Sequence, residues 1–425
     1  MWLLSVLFLG MTLLIGWLLF GYFLFMWFVG RFRVDKKPEF PSEWPMMSLI
    51  VPCYNEEKEI LNKLNDIRSL DYPEEKLEIV FVDGGSSDKT VHILKKHGND
   101  IPGMTVVLSP RRGKINQINH VLPLLKGEII VNTDCDSLLS PDALKWMAAE
   151  FSMSDEVKVV GAYCRPANTL DVEKYYWASQ NKSRFIENDA VTSPIVIAQC
   201  YGFKKDLLDK FPEDVVADDI YIAFHANTLG YRTVYSKYAM AVETRSPETY
   251  RDFIPHKFRK SNAFLRESVR FLHRLPEMNP GWKMMLITRT FQQVLLPWII
   301  VFWGMLVGAL TFLMQFDMVL VGVLFVAVLF GITSKVFSWT DLPDGSHHYS
   351  IGTVIKGFSL TLLIMMATGL SYPFYRQCSS YRRLSESGSL NMADYNDLNS
   401  LDEETVIADE WKPEIYSQRG YTDLQ

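Results

Sequence analysis

Residues 131–139 have the sequence VNTDCDSLL, which places Asp134 and Asp136 directly after an apolar run. Such a run predicts a buried strand, and carboxylates at its end are costly without a cation or hydrogen-bond donors. With one residue between them, both side chains can reach a common ligand, and their hard oxygens suit Mg²⁺ or Mn²⁺. A turn or helix cap is the alternative for Asp136. Ser140 and Pro141 already suit the start of the next helix, which weakens that alternative.

Three strand–helix units precede this acidic pair. The predicted strands are MSLIVPCYN, EIVFVDGGSSD and MTVVLSP, and they alternate with helical segments EEKEILNKLNDIRSL, KTVHILKKHG and GKINQINHVLPLLKG. This order predicts a parallel sheet with helices on both faces. Ligands of such sheets bind at the carboxyl ends of the strands. Tyr54, Asn55 and Asp83 lie at these ends, together with the acidic pair.

Four charge-free apolar runs frame the polar block of residues 46–280. They cover residues 1–30, 290–316, 318–334 and 357–375. Each approaches or exceeds the length that crosses a bilayer, whereas buried core helices of a large soluble protein are the alternative. We therefore predict a retained anchor at 1–30, a basic linker at 31–45, and an interfacial helix followed by about three spans over 281–375. The predicted interfacial helix has the sequence GWKMMLITRTFQQVLLP.

Basic residues beside the spans predict their orientation. Four of them directly follow the first run: Arg31, Arg33, Lys36 and Lys37. This pattern predicts an integral protein of the cell membrane with residues 46–280 in the cytoplasm. Three basic residues after the last run also favour the inside: Arg376, Arg382 and Arg383. Three further spans would place them outside, so the side of the C-terminus stays open.

The cysteines, the C-terminal composition and the net charge each limit what the protein can be. The five cysteines have no paired metal-binding spacing and predict reduced thiols. Residues 376–425 form a polar tail, with nine acidic and two basic side chains between 390 and 425, and we predict disorder there. The formal net charge is a modest −6, and we predict no nucleic-acid partner.

Five segments in order resemble the motifs of family 2 glycosyltransferases. They are VPCYNEE, VDGGSSDKT, GKINQIN, NTDCDS and ADDIYIAFHANTLGYR, within residues 46–270. The flanking apolar runs resemble those of the membrane-integrated members that make poly-N-acetylglucosamine, chitin oligosaccharides, hyaluronan or cellulose. The resemblance implies a GT-A fold. This is an α/β, Rossmann-like and mostly parallel sheet in a cytoplasmic domain, flanked by N- and C-terminal transmembrane helices.

The resemblance also implies roles for individual residues. Asp219 would be the general base, and Asp218 stands where the family usually has Glu. Asp136 would hold a metal ion, and Asp134 would be shared between metal and ribose. The nucleotide site would contain Pro52, Tyr54 against the base, Asn55, Glu57, Asp83 near uracil, and Lys114 near the phosphates. On the acceptor side, Tyr201 would offer a stacking face and Gly202 would permit close approach of a sugar.

One segment departs from the family pattern. Processive members carry QxxRW, whereas this chain has HKFRK at 256–260. His256 and Arg259 keep the spacing, but Lys260 replaces tryptophan, which puts processivity in doubt. Arg259 would still suit a pyrophosphate as a bidentate donor. The alternative is a solvated, basic helix facing lipid headgroups. Trp177, upstream, is predicted to lie in the core.

These observations predict a metal-dependent, inverting glycosyltransferase that uses a nucleotide-sugar, with UDP-linked donors first. The acceptor would be a growing polysaccharide or a lipid-linked molecule, and membrane lipids would surround the spans. Two alternatives are a non-processive lipid-phosphate or lipid-linked sugar transferase, and an inactive membrane scaffold with the same fold. Three or four helices form a narrow channel unless chains associate, so a homo-oligomer is also open.

Overall fold

A computed structural model describes residues 2–33, 36–167, 169–345, 349–375 and 377. The chain begins with helix α1, Trp2–Gly16, which continues through a π-helical turn, Trp17–Gly21, into α2, Tyr22–Gly30. Together these segments form one 29-residue apolar helix that is long enough to cross a membrane. This helix coincides with the predicted anchor.

The first half of the α/β domain follows the predicted alternation. Its strands are β1 (Met47–Cys53), β2 (Leu77–Asp83), β3 (Met104–Leu108) and β4 (Ile129–Thr133). Between them lie α3 (Ile60–Arg68), α4 (Thr90–His97) and α5 (Lys114–Val121). All neighbouring pairs among these strands are parallel. Their carboxyl ends therefore meet along one edge, where Cys53 of β1 pairs with Asp83 of β2.

The second half of the domain differs from the predicted sheet. It contains β5 (Ser137–Leu139), α6 (Ala143–Ser152), β6 (Val157–Pro166), α7 (Asp171–Ala190), β7 (Cys200–Lys204), α8 (Asp218–Thr228) and β8 (Arg232–Glu243). The eight strands have the order β3-β2-β1-β4-β7-β6-β8-β5. Strand β7 runs antiparallel to both β4 and β6, and β5 runs antiparallel to β8. The sheet is therefore mixed, because the chain re-enters it after α7 in the opposite direction.

Two apolar cores cover the faces of this sheet. Successive side chains of a strand point to opposite faces, and β1 accordingly sends Leu49 and Val51 into one core and Ile50 into the other. Trp177 of α7 lies in the first core and is almost fully buried, as predicted. Helix α6 begins at Ala143, with Asp142 rather than the predicted Ser140 as its N-cap.

In the part of the chain that the structure describes, five α-helices follow the sheet. They are α9 (Tyr250–Leu272), α10 (Pro280–Val294), α11 (Leu296–Phe312), α12 (Phe316–Ser338) and α13 (Ile351–Ser371). Helices α12 and α13 are each long and apolar enough to cross a membrane. Helices α10 and α11 form a pair bent by 57°, and the bend coincides with the predicted step from an interfacial helix into a span. Pro297, the second residue of α11, has no backbone N–H to donate to a carbonyl of α10.

Buried polar contacts join the terminal helices to the α/β domain. Glu187 of α7 is completely buried and accepts hydrogen bonds from the Tyr22 hydroxyl and from Arg289 Nε and Nη2, the latter two at 2.7 Å. Gln292 of α10 also donates to the backbone oxygen of Leu18 at 2.6 Å. The predicted disordered tail and its arginines lie outside the described residues, apart from Gln377.

Candidate active site

A cavity of about 1690 Å³ opens at the carboxyl ends of the parallel strands. It extends from β1 and β4 to the C-terminal apolar helices. Eight of the predicted site residues line it: Pro52, Tyr54, Lys114, Asp134, Asp136, Asp218, Asp219 and Arg259. The sheet thus brings together residues that are spread over nearly half of the sequence, at the place where parallel sheets bind ligands.

Lys114 lies between two carboxylates of this cavity. Its Nζ is 2.7 Å from Asp134 Oδ1 and 3.0 Å from Asp218 Oδ2. Asp218 Oδ2 also accepts a hydrogen bond from the Tyr201 hydroxyl at 2.7 Å. Burial raises the pKa of Asp134, and the nearby ammonium group of Lys114 opposes that rise. Lys114 at the start of α5 is thus held between Asp134, which follows β4, and Asp218 at the start of α8.

Asp136 has a different cationic partner. Its Oδ2 lies 3.1 Å from Arg245 Nε, and Arg245 Nη2 lies 2.7 Å from Glu56 Oε2. The backbone amide and hydroxyl of Thr244 both donate to the Asp136 carbonyl oxygen, at 3.0 and 2.8 Å. Arg245 and Glu56 were not predicted from the sequence. Glu56 stands in the VPCYNEE motif beside Glu57, whereas no motif marks Arg245.

Asp219 is the second residue of helix α8 and lines the cavity. Its Oδ2 accepts a hydrogen bond from the backbone amide of Ala198 at 3.1 Å. Burial raises the pKa of Asp219 to about 6, and the negative charge of Asp218 adds to the rise. A carboxylate of this basicity suits proton abstraction near neutral pH.

Three predicted nucleotide-site residues instead brace the Gly-Ser loop and do not line the cavity. Asp83 is buried and accepts hydrogen bonds from the amides of Gly85 and Ser86, at 2.8 and 2.9 Å. Asn55 Oδ1 accepts one from the Ser87 amide at 2.7 Å, and Glu57 accepts one from the Lys89 amide at 3.2 Å. A buried carboxylate needs hydrogen-bond donors, and the loop supplies them to Asp83, whereas Asn55 and Glu57 hold the loop from its more exposed side.

The aromatic and glycine predictions have mixed outcomes. Tyr54 has an exposed ring at the cavity, with the Arg112 guanidinium 5.4 Å from its centroid. Tyr201, by contrast, has no exposed surface and offers no stacking face. A Cβ on Gly202 would lie 3.0 Å from Met147 Cε, so the close approach at this glycine is to the core and not to a sugar. The predicted acceptor roles of Tyr201 and Gly202 are therefore not supported.

Comparison with known proteins identifies the domain. Residues 48–211 match the model of the family described as Glycosyl transferase family 2. The chain carries a family 2 glycosyltransferase domain. The predicted family is thereby confirmed, and the matched residues include the strands from β1 to β7, apart from Met47, and the acidic pair.

Relatives with assigned activities extend the comparison. The glycosyltransferase domain is similar to the poly-beta-1,6-N-acetyl-D-glucosamine synthase of Staphylococcus aureus strain COL, with 25% identity over 226 residues. That alignment covers 49% of this chain and 53% of the relative. The synthase of Staphylococcus epidermidis is 25% identical over 209 residues, covering 46% and 48%. The chain therefore spans about half the length of the curated relatives that it matches.

A solved structure shares the fold of this chain. The mannosyltransferase PcManGT from Pyrobaculum calidifontis, in complex with GDP-Man and Mn²⁺, superposes with a TM-score of 0.66. The sequences are 22% identical, and the match covers 88% of this chain and 100% of the other. The likeness supports an α/β fold of the glycosyltransferase type.

Two lysines of helix α9 pair with buried acids of the α/β domain. Lys257 is buried with its Nζ 2.7 Å from Glu173 Oε1, and burial lowers the pKa of Lys257 to about 8 although Glu173 opposes this. Lys260 Nζ lies 3.6 Å from Glu243 Oε1 and 4.9 Å from the ring centroid of Trp177. Both lysines line the cavity. The expectation that these side chains serve lipid headgroups is therefore wrong for Lys257 and Lys260.

The carboxylates of this cavity fit a divalent cation. Asp134 and Asp136 present hard carboxylate oxygens at one cavity, and Mg²⁺ in phosphate sites takes one or two protein carboxylates plus substrate oxygens. Among the described residues no group of three or more His, Cys, Asp or Glu side chains forms a ready metal site. Two protein carboxylates leave the other coordination positions of such an ion to water and to phosphate oxygens.

Proposed function

We propose that this protein is a membrane-bound, inverting glycosyltransferase that transfers a sugar from a nucleoside-diphosphate sugar to a saccharide or lipid-linked acceptor. The observation that carries the proposal is the convergence of Lys114, the acidic pair and Asp219 in one cavity of a family 2 domain. The Staphylococcus relatives are named as polysaccharide synthases. UDP-linked sugars are the first donors to test, and the catalytic domain would face the cytoplasm.

The reaction divides between two ends of the site. The departing diphosphate carries concentrated negative charge, which the ammonium group of Lys114 is placed to stabilise. A divalent cation held by Asp136 and Asp134 would supply further positive charge there. Asp218 and the Tyr201 hydroxyl position Lys114 by holding its other side.

Asp219 would activate the acceptor. Its carboxylate faces the cavity and would accept the proton of the attacking hydroxyl. One base on the side opposite the leaving group implies a single displacement with inversion. Arg259 also lines the cavity, and its guanidinium remains the candidate for a bidentate contact with the diphosphate.

A single-transfer enzyme with a lipid-linked acceptor is the second candidate. Lys260 stands where processive relatives have tryptophan, which removes one aromatic surface for a sugar chain. Ile364 and Met365 of the apolar helix α13 line the far end of the cavity. These residues would suit an acceptor whose hydrocarbon part enters beside the apolar helices.

The test is donor turnover by the purified full chain in lipid nanodiscs, with labelled UDP- and GDP-sugars and membrane lipid extract as acceptor. We expect one of the donors to be turned over with release of nucleoside diphosphate. This release should stop when EDTA is added and resume when Mg²⁺ or Mn²⁺ is restored. A ladder of products would support polymerisation, and one added sugar would support single transfer. If no donor turned over with any acceptor, the inactive-scaffold alternative would replace this proposal.

The pH profile of the reaction tests the base. Because the pKa of Asp219 is raised to about 6, the carboxylate is ionised above pH 6 and protonated below it. Since only the ionised form can accept a proton, kcat/KM should fall about tenfold per pH unit below pH 6 and level off above it. Initial rates between pH 5 and 8.5 at fixed metal concentration measure this. A profile that stayed flat down to pH 5 would contradict the assignment.

A further inference from the structure

Arg245 holds the metal-facing aspartate in the donor-free enzyme. Its guanidinium bridges Asp136 Oδ2, 3.1 Å from Nε, and Glu56 Oε2, 2.7 Å from Nη2. All three side chains are mostly buried and line the cavity. The hydrogen bonds from Thr244 to the Asp136 carbonyl fix the two chain segments together. The contact is therefore built into the site and is not a loose surface ion pair.

The guanidinium has hydrogen-bonding capacity left over. Arg245 Nε is buried and lies near Asp136, but within the described part of the chain no acceptor is aligned for a hydrogen bond with it. Burial alone would lower the pKa of Arg245, yet Asp136 and Glu56 outweigh it and raise the pKa. The side chain is thus a cation that lines a ligand cavity, and an anion bound there could offer the aligned acceptor that Nε lacks.

A metal ion and Arg245 compete for one carboxylate. Asp134 is already neutralised by Lys114 at 2.7 Å, and Asp136 by Arg245. A divalent cation added alone would therefore meet two protein cations beside its ligands, which costs electrostatic energy at this distance. A diphosphate added together with the metal supplies negative charge for Lys114, Arg245 and the metal at once.

We propose that Arg245 is an exchangeable counter-ion, which neutralises Asp136 without donor and moves to the diphosphate group when metal and donor bind together. The inference rests on the proposed function only in naming a metal-bound diphosphate as the ligand. It makes Arg245 a positioning residue in the donor-free enzyme and a phosphate-binding residue in the complex. Metal alone then binds weakly, and the metal–diphosphate complex binds tightly.

The experiment measures Mn²⁺ alone by electron paramagnetic resonance with the purified full chain in nanodiscs. Removing the competing charge in Arg245→Gln should tighten Mn²⁺ binding about tenfold. Arg245→Lys keeps a positive charge but loses the planar guanidinium that contacts both Asp136 and Glu56. This variant should tighten Mn²⁺ binding about threefold. The matched control is Arg251→Gln, which removes an arginine from the same cavity lining and should leave Mn²⁺ affinity unchanged. Adding Asp136→Asn to Arg245→Gln should abolish the gain.

A second measurement follows labelled inorganic pyrophosphate with Mn²⁺ in excess. Arg245→Gln should weaken its binding at least about fivefold, because a charge-assisted contact is lost, whereas Arg251→Gln should not. The proposal is overturned if neither Arg245 variant binds Mn²⁺ alone more tightly than the parent, or if pyrophosphate binding is unchanged. A misfolded variant would lose Mn²⁺ rather than gain it. Neither readout needs sugar transfer, so failure of the proposed enzyme activity is detected separately.

Discussion

Asp219→Asn should lower kcat by about 10²- to 10⁴-fold, which is the usual contribution of a general base. Asparagine keeps the size of the side chain, and its carbonyl oxygen can still accept the hydrogen bond from the Ala198 amide. What it loses is the capacity to take a proton from the acceptor hydroxyl. Steady-state kinetics measure the loss, with the donor found among the labelled UDP- and GDP-sugars.

A second aspartate of the same cavity provides the control. Asp252 lines the cavity near the start of α9, where it accepts a hydrogen bond from the Thr249 hydroxyl, and it has no proposed role in proton transfer. Asp252→Asn should keep kcat within about twofold of the parent, as substitutions outside the chemistry do. Donor binding should be unchanged in both variants. If Asp219→Asn kept more than a tenth of the parent kcat, the base would have to be sought elsewhere.

Local sequence patterns predicted the parallel half of the fold. Each of the strands β1 to β4 is an apolar run, and successive strands are connected by a helix whose apolar face covers the sheet. Both patterns can be recognised within short stretches of sequence. The direction of β7 depends on how the chain returns from α7 and pairs with Ile129–Thr133. That pairing joins distant segments, so periodicity could not predict the antiparallel strands.

The same distinction applies to the site. Asp134, Asp136 and Lys114 were predicted because strand ends and helix starts are visible in sequence. Arg245 reaches Asp136 only through the pairing of β5 with β8, a long-range contact with no local signal. Asp83 was placed at the correct edge, but its carboxylate is satisfied by the loop that follows it.

Burial of charge was the least predictable feature. The density of basic residues in α9 resembles that of a solvated surface, yet Lys257 and Lys260 point inward to Glu173 and Glu243. Sequence spacing gives the helix but not the partner, because the acids come from α7 and β8. The buried Glu187–Arg289 pair has the same origin.

Glu187→Gln should destabilise the protein by about 3–5 kcal/mol, because it leaves the Arg289 guanidinium without its counter-charge in a buried site. Glu187 has no exposed surface, and Arg289 is largely buried against it. The NH₂ group of the new glutamine would also face the hydrogen-bond donors of Arg289 or Tyr22, and two donors cannot form a hydrogen bond with each other. The melting temperature of the detergent-solubilised full chain measures the effect.

Two further variants separate this pair from ordinary surface charge. Glu187→Gln with Arg289→Gln removes both charges and should recover most of the lost stability, since a buried pair costs most when one partner stays. On the same helix, Asp171 and Lys174 form an exposed pair at 3.5 Å, so Asp171→Asn should change stability by less than about 1 kcal/mol. If the double variant were as unstable as Glu187→Gln alone, packing and not charge would hold the junction. Because Glu187 accepts hydrogen bonds from both α2 and α10, a loss confined to the single variant would mean that one carboxylate couples the N-terminal apolar helix to the catalytic domain.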